Sequence, residues 1–214
     1  YMDCRGHNRR IQIVQNYDVI PEVHVPVMNG ITIKSDAGND ISKTYFIFTC
    51  IPKTTGKKET IICGRTTAND FSKLTGKELP LLFNPLINAP LVGGINANAA
   101  RLGNHNNHPH IKWNKARKQL YNATMLMTLY TGNKPDPFQP LFGIRRDIEK
   151  YPNYSVQIRH VKALVTVLKK FKTTIPKVID KLEVNNMMIP YNFDLLADFL
   201  ISKNQNEIVK FFVI

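Results

Sequence analysis

The chain has 214 residues, 43% of them apolar, so its composition excludes wholesale disorder and suits one large or two small folded domains. It contains no run of about 18 apolar residues, which argues against a helical membrane span, and its three cysteines are too few for a disulfide framework. Lys and Arg number 29 against 16 Asp and Glu, and this net charge of +13 indicates a polyanionic partner. The N-terminus also lacks the apolar segment of a signal peptide, so we expect a cytoplasmic or nuclear protein that is not secreted.

Strand patterns dominate the first part of the chain. Residues 10–15 alternate polar and apolar side chains with a period of two, which predicts a half-buried strand. Residues 23–27 alternate in the same way, but the prolines in and beside this segment assign it to a sheet edge or a loop. Residues 44–51 and 60–63 are rich in β-branched and aromatic side chains, and the segment between them is typical of a turn. These two segments are therefore predicted to form a β-hairpin.

Helical patterns dominate the second half. One short helix is expected earlier, at 66–74, where Gly76 would end it. The Asn-, Gly- and Pro-rich segment that follows predicts an irregular connector. Apolar residues then recur every three to four positions in five segments, which are 112–131, 141–150, 155–171, 175–184 and 193–202. The expected architecture is α+β, with an antiparallel β-rich unit and its short helix at 1–79, the connector at 80–110 and a basic α-helical unit at 111–214.

The positive charge is concentrated in the helical unit. Residues 111–181 hold 15 basic and 4 acidic side chains, a net charge of +11. In the 155–171 helix, which Ser155 is expected to cap, the basic residues lie opposite the apolar stripe. Phosphate binding needs several cations on one rigid surface, because each neutralised phosphate releases condensed counterions. The predicted nucleic-acid contacts are Lys112, Lys115, Lys118, Arg145, Arg146, Arg159, Lys162, Lys169 and Lys170.

These features predict a nucleic-acid-binding protein that contacts phosphates, with DNA favoured over RNA because rigid helices suit a groove. Helices 141–150 and 155–171, joined by a short Pro-containing turn, are also compatible with a helix-turn-helix. Tyr151 and Tyr154 in that turn are candidates for stacking on unpaired bases. Two alternatives remain open: a structural or interaction protein whose basic face binds an acidic partner, and an endonuclease. No cofactor is expected, and only the nuclease alternative requires a divalent metal.

A histidine cluster provides one candidate metal site for a nuclease. His105, His108 and His110 lie within six residues of one another, and Cys50 and Cys63 are conceivable further ligands. The two cysteines are too far apart in sequence for a zinc knuckle, and a polar, solvated loop fits the same histidines. We therefore expect no metal site, and these histidines are the candidates if one exists.

The hairpin provides a second candidate site. Tyr45-Phe46-Ile47 lies on its first strand, Ile62-Cys63-Gly64 lies on its second, and a short helix follows. This arrangement resembles the core of the GIY-YIG endonucleases. The chain lacks the first glycine and the second tyrosine of that pattern, and Arg65 precedes the helix that carries the family's arginine; a plain β-hairpin fits the same residues. The catalytic residues that the resemblance implies are Tyr45, Arg65 and Glu78.

Overall fold

The computed structural model describes residues 2–87, 112–131 and 140–213, and these residues form two compact units. Residues 2–84 belong to the first unit, and residues 85–87, 112–131 and 140–213 belong to the second. The first contains an antiparallel sheet with helices and the second consists of helices, so the fold is α+β as the sequence predicts.

The first unit is built around a three-stranded antiparallel sheet. Its strands are β1 (Tyr17–Pro26), β4 (Thr44–Pro52) and β5 (Glu59–Cys63), in the order β1-β4-β5. The predicted hairpin is confirmed as β4 and β5. The predicted edge position is also confirmed, because β1 lies at one side of the sheet and its register shifts between Pro21 and Val23, where a proline cannot donate to the ladder.

A small ribbon and a helix complete this sheet. The ribbon consists of β2 (Ile33–Lys34) and β3 (Asp40–Ile41), and Asp36 between them accepts a hydrogen bond from the Ile62 amide of β5 at 2.7 Å. The helix α2 (Arg65–Thr75) ends at Gly76, whose φ of 68° is the left-handed conformation that glycine adopts without steric cost. The short helix that the sequence predicts after the hairpin is therefore confirmed.

The prediction of a strand at 10–15 is wrong. These residues lie in α1 (His7–Asn16), where Ile13 is buried and Val14 packs against the core. Arg10 lies three positions before Ile13, on the same side of the helix, and its guanidinium pairs with the Asp70 carboxylate of α2. The period-two pattern misled because Arg10, counted as a solvent-facing residue, belongs to the inward-facing side.

The core of the first unit encloses all three cysteines. Cys4, Cys50 and Cys63 are fully buried, unpaired thiols that pack with Phe48 and Phe71. Burial raises the pKa of Cys4 and Cys50 to about 12 and that of Cys63 well above its ordinary value. Since a thiolate is the form that binds metal or attacks an electrophile, these cysteines act as small core residues.

A neutral histidine lies inside the same sheet. The His24 ring stacks on Phe46 with centroids 3.9 Å apart, and its Nε2 lies 3.0 Å from the Thr44 hydroxyl oxygen. Burial, reinforced by the nearby Arg65 guanidinium, lowers the pKa of His24 from 6.5 to about 4.

This histidine makes the first unit sensitive to acid. At pH 4.5 the unfolded chain protonates His24 whereas the folded chain largely does not, so the stabilisation present above pH 6.5 is lost as the pH falls towards 4. We expect His24 to lower the free energy of unfolding by about 2–3 kcal/mol between pH 7 and pH 4.5. Urea unfolding followed by circular dichroism at both pH values measures this loss. The His24→Gln variant should lose less stability over the same range, and an equal loss in both proteins would contradict the assignment.

The second unit is helical. Its helices are α3 (Lys115–Thr131), α4 (Leu141–Lys150), α5 (Ile158–Lys170), α6 (Ile175–Glu183), α7 (Asp194–Ser202) and α8 (Asn206–Val209). The first of these helices begins three residues later than the predicted 112, and the side-chain oxygen of Asn114, just before it, accepts a hydrogen bond from the Arg117 amide at 3.0 Å. Thr174 caps α6, and Pro176 lies in its first turn. Ser155 does not cap α5, which begins three residues later after Gln157.

One fully buried arginine joins three segments of this unit. Arg117 of α3 has no exposed side-chain surface, and its guanidinium lies 3.1 Å from a carboxylate oxygen of Asp147 on α4. The guanidinium also donates to the backbone carbonyl oxygens of Asp147 at 2.8 Å and Ser155 at 3.2 Å. His160 of α5 approaches the same carboxylate, with its Nε2 atom 3.6 Å from Asp147 Oδ2. The start of α3, the end of α4 and the segment before α5 are thus linked through one buried charge.

Candidate nucleic-acid interface

The exposed side of α5 carries most of the predicted cations. Its apolar stripe of Val161, Leu164, Val165 and Leu168 is buried in the second unit. The opposite side is exposed along its length and consists of Arg159, Lys162, Thr166, Lys169 and Lys170. We call these five residues the α5 basic face. They span about 16 Å along the helix axis at 1.5 Å per residue, a length that several neighbouring phosphates occupy.

No carboxylate in the surrounding sequence balances this charge. Residues 150–179 contain seven basic side chains and no acidic one, and all seven are exposed. The two acidic residues just before this segment form ion pairs with other arginines: Asp147 pairs with Arg117, and Glu149 pairs with Arg145. The sequence prediction omitted Lys150, Lys172 and Lys177, although the absence of acids from this stretch was visible in the sequence.

The adjacent arginines of α4 are placed differently. Arg146 is exposed, whereas the Arg145 side chain is only 6% exposed and pairs with Glu149 one helical turn away. The sequence assigned Arg145 to the nucleic-acid contacts, but its burial removes it from the exposed basic surface. Two consecutive helix residues point about 100° apart, so one of them can face the packed side of the helix while the next faces solvent.

The three predicted lysines near the start of α3 also separate. Lys112 and Lys115 are exposed, whereas the Lys118 ammonium lies 4.5 Å from the ring centre of Trp113 and 4.7 Å from that of Tyr121. Burial lowers the pKa of Lys118 to about 8, and Glu149 opposes the shift. Lys118, one of the predicted nucleic-acid contacts, therefore makes cation–π contacts within the unit, unlike the exposed Lys112 and Lys115.

The connection between α4 and α5 does not match a helix-turn-helix. It runs from Tyr151 to Gln157, longer than the roughly three- to four-residue turn of that motif. The helix-turn-helix interpretation is therefore not retained.

The candidate nuclease residues differ in their exposure to solvent. Tyr45 is 3% exposed on β4, and burial raises its pKa to about 12, whereas Arg65 and Glu78 are exposed. A core tyrosine cannot contact a phosphodiester, so the implied catalytic tyrosine of the endonuclease resemblance is inaccessible in this structure.

The candidate metal ligands His105, His108 and His110 lie outside the described residues. Within residues 2–87, 112–131 and 140–213, no group of three His, Cys, Asp or Glu side chains is arranged to hold a metal ion. In the same ranges, no helix combines the length and apolar character needed to cross a membrane.

Comparisons with known proteins give no relative from which a function could be transferred. No protein-family model, curated protein or solved structure matches this chain.

Proposed function

We propose that the second unit binds nucleic acid through phosphate contacts on the α5 basic face. The observation that carries the proposal is the combination of this rigid, exposed row of cations with a surrounding sequence that contains no acid. An ordinary solvated helix surface interleaves both signs of charge, and interleaving lowers affinity for a polyanion. Here Arg159 can engage a phosphate through two N–H groups, while the lysines act as point charges.

DNA is the favoured nucleic acid. A helix presenting its polar side can lie along or in the major groove of B-form DNA, which is about 12 Å wide, whereas the major groove of duplex RNA is too narrow. The three unpaired thiols in the first unit suit a reducing compartment, and a cytoplasmic or nuclear location is part of the proposal. An endonuclease activity is not part of the proposal, because Tyr45 is in the core and no observation supports cleavage.

The direct test is an equilibrium titration of the full chain against fluorescently labelled duplex DNA. We expect binding at about 20 mM salt and a logarithm of affinity that falls steeply and linearly with the logarithm of salt concentration. Duplex RNA of the same sequence should bind more weakly. A polyglutamate peptide at equal charge concentration tests the acidic-protein alternative. Absence of DNA binding at low salt, or tighter binding of polyglutamate than of DNA, would overturn the proposal.

A further inference from the structure

Two stacked tyrosines project from the connection between α4 and α5. The rings of Tyr151 and Tyr154 have centroids 5.0 Å apart and planes inclined by 26°. The Tyr154 amide donates to the Tyr151 carbonyl oxygen at 3.2 Å, and Pro152 lies at the second position of the resulting turn. Because proline fixes its own backbone angle, the turn presents the two rings in a pre-organised arrangement.

The outer tyrosine of the pair faces solvent. Tyr154 is 53% exposed, one of the larger exposures among the described apolar and aromatic residues. Stacking covers one side of its ring with Tyr151, and the exposed surface is available to a planar partner. The hydrophobic effect does not account for the exposed position of Tyr154, because a ring that stays half in water gains little from burial.

One lysine contacts the inner ring, and a segment that carries two more lysines is hydrogen-bonded to the same turn. The Lys150 ammonium lies 5.1 Å from the ring centre of Tyr151. The Asn114 amide donates to the Pro152 carbonyl oxygen at 3.0 Å, which brings the start of α3 to the same turn. The exposed lysines 112 and 115 flank that asparagine. An aromatic surface with lysines around it has the chemistry that binds single-stranded nucleic acid, where the bases stack and the phosphates pair with cations.

We infer that Tyr154 is a stacking site for one unpaired nucleobase, next to the cations that hold its phosphates. The inference rests on the proposed nucleic-acid binding and makes a ligand with an unpaired segment, such as a single strand or a duplex with an overhang, the preferred one. A base inside a duplex is already stacked on its neighbours, so it gains nothing from the tyrosine unless it leaves the helix. The site does not select a sequence, because every base has a flat π surface.

The experiment compares the affinities of the full chain for two DNA ligands. A labelled duplex with a short single-stranded overhang and the blunt duplex of the same paired sequence are titrated with the wild type and with Tyr154→Ala, Tyr154→Leu and Tyr154→Phe. We expect Tyr154→Ala to weaken binding of the overhang ligand by about 5- to 150-fold and to leave the blunt duplex unchanged. Tyr154→Leu should behave like alanine, and Tyr154→Phe, which keeps the ring, should retain most of the affinity.

A second readout reports stacking directly. When 2-aminopurine replaces the overhang base, its fluorescence should be quenched by the wild type and by Tyr154→Phe but not by Tyr154→Ala. Equal losses on both ligands, or no loss on either, would overturn the stacking site while leaving phosphate binding intact. Failure of the wild type to bind either ligand at about 20 mM salt would instead overturn the proposed function. Circular dichroism checks that each variant is folded, as expected for a substitution at an exposed position.

Discussion

Replacing Lys162 and Lys169 together with alanine is expected to reduce the salt dependence of DNA binding. Each phosphate contact contributes about 0.9 to the slope of log affinity against log salt for B-form DNA, so two lost contacts lower its magnitude by about 1.8. With phosphate contacts from all four cations of the α5 basic face, the wild type should lose affinity about 150-fold between 50 and 200 mM salt. The variant, which keeps two of these contacts, should lose about 12-fold over the same range. Fluorescence anisotropy across this range measures both slopes.

The matched control removes the same charge from the first unit. Lys57 and Lys58 are exposed in the turn between β4 and β5, so their double alanine variant has the same net charge as the Lys162→Ala, Lys169→Ala variant. A specific interface predicts that this control retains the wild-type slope. If both variants flatten the slope equally, binding follows the total charge and the α5 basic face is not the interface. Both lysines of α5 are exposed, and alanine favours helix, so the fold should be retained.

Replacing Asp147 with alanine is expected to cost about 3 kcal/mol of unfolding free energy in the second unit. The change leaves the fully buried Arg117 guanidinium without its carboxylate, and breaking a buried ion pair typically costs about 3–5 kcal/mol. The lower end applies because Asp147 is itself 27% exposed and two backbone carbonyl oxygens still accept from the guanidinium. Urea unfolding followed by the fluorescence of Trp113, the chain's one tryptophan, measures the change in this unit.

Two further variants test whether the loss of stability comes from the buried charge or from the removal of any carboxylate. Asp180→Ala removes an exposed carboxylate of α6 and should change stability by less than about 0.5 kcal/mol. Arg117→Met combined with Asp147→Ala removes both charges, so it should recover part of the stability lost by Asp147→Ala alone. A loss below about 1 kcal/mol for the single variant would show that the carbonyl oxygens satisfy Arg117 without the carboxylate.

The local patterns that proved reliable are those in which one segment carries enough information by itself. The hairpin of β4 and β5, the stop of α2 at Gly76 and the two sides of α5 each follow from side-chain spacing or from one backbone requirement. The strand predicted at 10–15 failed because a short alternating run fits two periods equally well. In the fold, the adjacent residues Ile13 and Val14 both pack on the core, and Arg10 pairs with Asp70, sixty positions later in the chain; none of these partners is visible in the local pattern.

The sequence by itself determined where the apolar and cationic sides of α5 lie, because the helical repeat fixes the direction of each side chain relative to its neighbours. It also determined the excess of positive charge around that helix. Only the tertiary structure decided which cations face solvent. Arg117 and Arg145 are buried against carboxylates and Lys118 lies over two aromatic rings, whereas Arg159 and Lys162 remain exposed. Composition does not distinguish these basic residues, because burying a charge depends on the partners that packing brings to it.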